Sequence, residues 1–106
     1  MSLKKLGAVS PSATTNTLLL EVDTGKEVLC NVSIVNRNSS AVTIRLYNAE
    51  ADSPGVEDAL EYDYSLAGNA SMQRTGIHAQ AGQHIVVYAS GTGVSFVCDG
   101  LERTAT

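Results

Sequence analysis

The residues able to do chemistry in this chain are few, and each suggests a different reaction. Two histidines, His78 and His84, close the segment HAQAGQH. With a third ligand such as a carboxylate they would make a metal centre. Cys30 and Cys98 are the two thiols, and a thiol becomes a nucleophile when a neighbouring base or cation favours the thiolate. The segment AEADSPGVEDALEYD gathers Glu50, Asp52, Glu57, Asp58, Glu61 and Asp63, oxygen ligands of the kind that hold calcium. The stretch HIVVYASGTGVSFVCDG, His84 to Gly100, sets a glycine pair between two apolar runs, as a phosphate-binding loop would.

None of the four has the spacing its chemistry needs. A phosphate loop wants a lysine or a third glycine and a helix after it. SGTGVSF has neither, and Val94, Phe96 and Cys98 alternate behind it as in a strand. The glycines are therefore expected to form a hairpin loop. A second hairpin around Ala81-Gly82 would bring His78 and His84 near one another, but no third ligand is in evidence. They are read as polar, solvent-facing positions beside a turn. Cys30 and Cys98 share the inward phase of their strands with Val32 and Phe96, where a thiol acts as a small apolar filler. If those strands are neighbours the two thiols touch, and whether they pair is left open. The acidic segment lacks the alternating ligands of an EF-hand and reads as solvated charge. No Ser-His-Asp set or carboxylate pair stands out. The expectation is a protein that is not an enzyme, with no catalytic residues, no metal and no cofactor.

The elements that would position these residues are short β-strands. VLCNVSIVN alternates, with Val28, Cys30, Val32 and Ile34 on one side. AVTIRLYN repeats the pattern with Val42, Ile44 and Leu46, and Thr43, Arg45 and Tyr47 lie opposite. Period two of this kind marks a strand with one buried face. TLLLEV, LEYDYSL, SMQRTGIHAQ, HIVVYAS and GVSFVCD add further strands. DTGKE is a turn in which Gly25 takes positive φ, and the acidic segment has room for one helical turn near Val56 to Leu60. Turn signals every eight to twelve residues point to a sandwich or barrel. The fold class expected is all-β: a single antiparallel β-sandwich, jelly-roll-like, with an extended N-terminal arm. The arm covers 1–16, the sandwich 17–100 and a C-terminal tail 101–106.

Composition bounds the function. With 106 residues there is room for one domain. It has no Trp and a single Phe, so the core must be aliphatic. The formal charge is −4 and the seven basic residues are scattered, which argues against nucleic-acid binding. No apolar run approaches bilayer-spanning length. The start, MSLKKLGAVSPSATTN, lacks the apolar segment of a secretory signal. With only two cysteines, folding is expected in a reducing cytosol. Sequons at Asn31, Asn38 and Asn69 are then chance matches.

The order of strands and turns carries a resemblance. TLLLEVDTGKEVLCNVSIVNRNSSAVTIRLY and YDYSLAGNASMQRTGIHAQAGQHIVVYASGTGVSF together resemble small β-sandwich structural proteins of tailed-bacteriophage virions, over roughly Thr17 to Phe96. That pattern runs through a PAGK-like turn, a strand ending near CNR, YD before a turn, a GI strand, an AGD-like turn and VYAS. Here the turns are DTGK and AGQ, and the acidic connection is peculiar to this chain. The resemblance implies a virion component on the capsid surface, made in the host bacterial cytoplasm. Its role would be that of a capsid decoration (cement) protein bridging capsid subunits, with a tail, baseplate or fibre component as the alternative. The partners implied are the major capsid protein and further copies of the chain, with no nucleic acid, membrane or small-molecule substrate. A carbohydrate-binding module is disfavoured by the lack of Trp. The residues expected to meet a partner are Lys4, Lys5 and Leu6 in the arm, and Leu101 and Arg103 in the tail.

Overall fold

Alternation between apolar and polar residues gives eight strands in the computed structural model, which describes residues 2–105. They are β1 (Ser2–Val9), β2 (Thr17–Glu21), β3 (Lys26–Asn36), β4 (Val42–Ala49), β5 (Ala59–Leu66), β6 (Ser71–Gln80), β7 (His84–Ala89) and β8 (Val94–Thr104), with one 3-10 turn, Val56–Asp58. The strands form two four-stranded sheets, β1-β8-β3-β6 and β2-β7-β4-β5, and every pairing is antiparallel. Apart from β4 and β5, consecutive strands lie in opposite sheets. That strand order is the double Greek key of a jelly roll.

The core lies between the sheets, where the period-two pattern places it. Val28, Cys30, Val32 and Ile34 of β3 are buried against Ile44 and Leu46 of β4, Ile85 and Val87 of β7, and Phe96 and Cys98 of β8. Phe96 is the largest fully buried side chain. Packing here is aliphatic around one ring, and apolar burial of this kind contributes about 25 cal/mol for each Å² removed from water.

Two glycines are required by the backbone. Gly25 turns the chain from β2 into β3 at φ +79°. Gly100 lies opposite Cys30 on β3 and Lys4 on β1. A Cβ there would stand well inside van der Waals contact of the Leu29 carbonyl oxygen and the Cys30 Cα. Glycine lets β3 and β8 close over their full length.

Three expectations are corrected. Of residues 1–16, read as an extended N-terminal arm, Ser2–Val9 form a strand: β1 pairs with β8 from Ser2↔Glu102 to Val9↔Phe96, and Leu6 and Val9 pack on the core. The residues read as a C-terminal tail continue β8 to Thr104, paired with β3 through Lys26↔Thr104. The two expected hairpins, at Ala81-Gly82 and at Ser90 to Gly93, are corners that carry the chain from one sheet to the other. Turn residues dictate a reversal of direction but not which strand the returning chain joins. The helical turn expected after Pro54 is present as Val56–Asp58, with the Gly55 N–H donating to Asp58 Oδ2 at 2.9 Å.

Candidate partner-binding surface

The corner Ser90 to Gly93 is filled by its neighbours. The Thr92 carbonyl accepts from Asn38 Nδ2 at 2.6 Å, and the Gly93 carbonyl accepts from the Arg37 N–H at 2.9 Å. Ser90 exchanges two bonds with Thr43, its Oγ accepting from the Thr43 N–H and its own N–H donating to the Thr43 carbonyl. A phosphate cradle needs N–H groups converging on an anion. This corner instead directs carbonyls at the β3–β4 loop.

The histidines stand on different sheets. His78 pairs with Leu29 in the first sheet, and its Nε2 is 3.6 Å from Glu27 Oε2. His84 pairs with Glu21 and Ala49 in the second, with Nε2 3.5 Å from Asp52 Oδ1. No group of three or more His, Cys, Asp or Glu side chains is placed to hold a metal ion among the described residues.

The thiols are neighbours. Cys98 lies opposite Val32, and Cys30 lies opposite Gly100 on the adjacent strand; both are free and buried. Cys30 beside it, together with burial, holds the Cys98 thiol far above the usual range. A thiol kept protonated in an aliphatic core is inert as a nucleophile. These side chains fill space.

The residues expected to meet a partner divide by strand phase. On β8, Leu101 and Arg103 point away from the core, in step with Ser95, Val97 and Asp99. Lys5 lies beside Asp99 on the same outward face, and Leu3 lies beside Leu101. Lys4 falls on the opposite phase and bonds Glu102 at 3.0 Å. Leu6 sits at a bulge between Lys5 and Gly7 and packs on the core. The structure therefore brings Lys5, Leu101 and Arg103 onto one face and leaves Lys4 and Leu6 off it.

That face is built in transverse rows. Leu3, Leu101 and Leu29 stand side by side across β1, β8 and β3, with Leu3 79% and Leu29 50% exposed. Arg103 and Glu27 form the row on one side, joined by an ion pair. Lys5, Asp99 and Asn31 form the row on the other. A hollow of about 210 Å³ opens beside Leu29 and Leu101, bordered by Glu27, His78 and Arg103. The Arg103 guanidinium, and to a smaller degree His78, hold the Glu27 carboxyl below its ordinary range, against an opposing effect of burial.

Two further polar centres are absent from the sequence reading. Asn36 is fully buried. Its Nδ2 donates to the carbonyls of Ser40, Leu66 and Ala67 at 2.9, 3.1 and 3.2 Å, and its Oδ1 accepts from the Asn38 N–H at 2.9 Å. It ties the β3–β4 loop to the β5–β6 turn. Arg45 stands between the rings of Tyr62 and Tyr88, 4.4 Å from each centroid, and bonds Asp63 at 2.6 Å. The only sequence signal for the latter was an Arg within an alternating strand and a YDY triplet nearby.

Comparison with models of known protein families finds none that matches this chain, and no curated protein matches it.

Proposed function

We propose that this protein is a non-enzymatic structural component of a tailed-bacteriophage virion, a capsid decoration protein that contacts the major capsid protein at the head surface. The observation that carries the reading is the strand order β1-β8-β3-β6 over β2-β7-β4-β5. This jelly-roll architecture is one that viral coat domains share with lectins and cupins, so the argument from fold is one of analogy. It joins the resemblance over Thr17 to Phe96, which is itself a pattern of strands and turns.

The way in which such a domain would attach differs from the arm first expected. β1 is an edge strand that pairs only with β8 among the described residues, so its other side presents backbone groups to a neighbour. An exposed edge takes an added strand or an ordered loop from a neighbour, and Lys4 extends beside it with half its side chain in solvent. Attachment through this edge adds contacts without requiring a flexible arm to become ordered.

Immunogold labelling of intact virions with an antibody to the full chain tests the proposal. Label distributed over the whole head supports it. Label confined to the tail or one vertex overturns the decoration role in favour of a tail, baseplate or fibre part. Particles without label overturn the virion assignment altogether.

A further inference from the structure

The outward face of the first sheet has a pattern that matches itself. The Leu3–Leu101–Leu29 row runs across three strands, with Arg103 and Glu27 on one side and Lys5, Asp99 and Asn31 on the other. On β8, Arg103 stands two residues to one side of Leu101 and Asp99 two residues to the other. We propose that this face closes on a second copy of the chain about a two-fold axis running along the leucine row, perpendicular to the strands.

Two face-to-face arrangements keep the leucines in contact, and charge separates them. An axis along the leucine row exchanges the two flanking rows and leaves each strand opposite its own counterpart. Arg103 then faces Asp99 of the second copy, and Asp99 faces its Arg103, so both contacts are attractive. An axis along β8 would set Arg103 against Arg103 and Asp99 against Asp99. Like charges opposed across an interface are unfavourable, so the first arrangement is the one this surface favours. It is isologous, as a two-fold contact must be. Its centre is apolar and its rim charged, the usual layout of a protein interface. The hollow of about 210 Å³ beside Leu29 and Leu101 gives apolar side chains of the facing sheet somewhere to settle.

The inference stands on this face alone and does not depend on the virion reading. It leaves the β1 edge and the whole second sheet free for other contacts. Because the patch spans only three strands, a dissociation constant in roughly the micromolar range is expected.

Sedimentation equilibrium on the full chain, run up to several hundred micromolar, tests it. A monomer–dimer equilibrium is expected. Leu29→Asp points to solvent in the single chain and should weaken the dimer at least tenfold with an unchanged circular dichroism spectrum. Arg103→Asp and Asp99→Arg should each weaken self-association, because each sets like charges against one another twice. Mixed in equal amounts, those two variants should form a heterodimer about as tight as the native dimer, since both contacts become attractive again. A chain monomeric at all concentrations would give the face to a different partner and overturn the inference. So would a trimer or larger ring, or an equal mixture that associates no better than its components.

Discussion

At the scale of single residues, the most consequential side chain is one that no reactive motif contains. Asn36 satisfies four hydrogen bonds in full burial, and its carbonyl partners lie as far as 31 positions away in the chain. That separation is why it was illegible in the sequence, where it reads as the last polar residue before a turn. Removing it strands buried acceptors at two loops. Asn36→Ala should cost about 2–3 kcal/mol in urea unfolding. Asn36→Asp should cost more at neutral pH, because a carboxylate cannot donate to the three carbonyls. A smaller loss for Asp than for Ala would rule out the donor role. Glu27 supplies a prediction in pH. Its folded pKa lies below the ordinary carboxylate value, chiefly through Arg103, so the stability it adds is complete above about pH 4.3 and disappears as pH falls through the folded pKa. Glu27→Gln should therefore be less stable than the native chain at pH 6–7, by the small amount an exposed ion pair gives. Thermal melts from pH 7 to pH 2.5 should show the two curves converging on the acid side. A gap that widens in acid would contradict the assignment.

At the scale of elements, what was legible followed strand phase, and what was not followed pairing. β3 and β4 were plain because their apolar residues keep strict alternation, Val28 to Ile34 and Val42 to Leu46. β1 was missed because its alternation breaks: Leu3 and Lys5 face outward, then the bulge before Gly7 shifts the phase so that Val9 faces in beside Phe96. Two lysines and an exposed leucine before that shift conceal an edge strand. The partner residues suffered likewise, since Lys4 and Leu6 could be assigned to a face only once the bulge was known. The strand status of β1 reverses the expectation for truncation. Deleting 1–9 removes the packing of Leu6 and Val9 and uncovers the β8 edge beside Cys98 and Phe96. The loss should be at least about 3 kcal/mol, a large part of the stability of a small domain, with aggregation through the bared edge. Thermal melting and gel filtration of the truncated chain check this. A truncated protein that melts with the full-length chain would restore the free arm.

At the scale of the whole molecule, the jelly roll sets how fast the fold can form. Among the described residues only β4 and β5 are both consecutive and paired; β3 waits for β6 and β8, β2 for β7, and β1 for β8. Closing such loops costs conformational entropy before contacts return anything, so folding should take roughly milliseconds to seconds, as in other sheet proteins dominated by non-local pairing. The order of events follows from the same topology. β1 has no site to join until β8 has paired with β3, so its contacts belong to the last step. Val9→Ala, on β1, should accelerate unfolding and leave the folding rate nearly unchanged. Leu46→Ala lies on β4, which pairs with both β5 and β7 at the centre of its sheet, and should slow folding as well. Stopped-flow chevrons for the two variants separate these outcomes, provided each destabilises by more than about 0.6 kcal/mol. A Val9→Ala protein that folds as much more slowly as it is destabilised would place β1 in the nucleus, and the strand would then be a starting point of the sandwich instead of its closing seam.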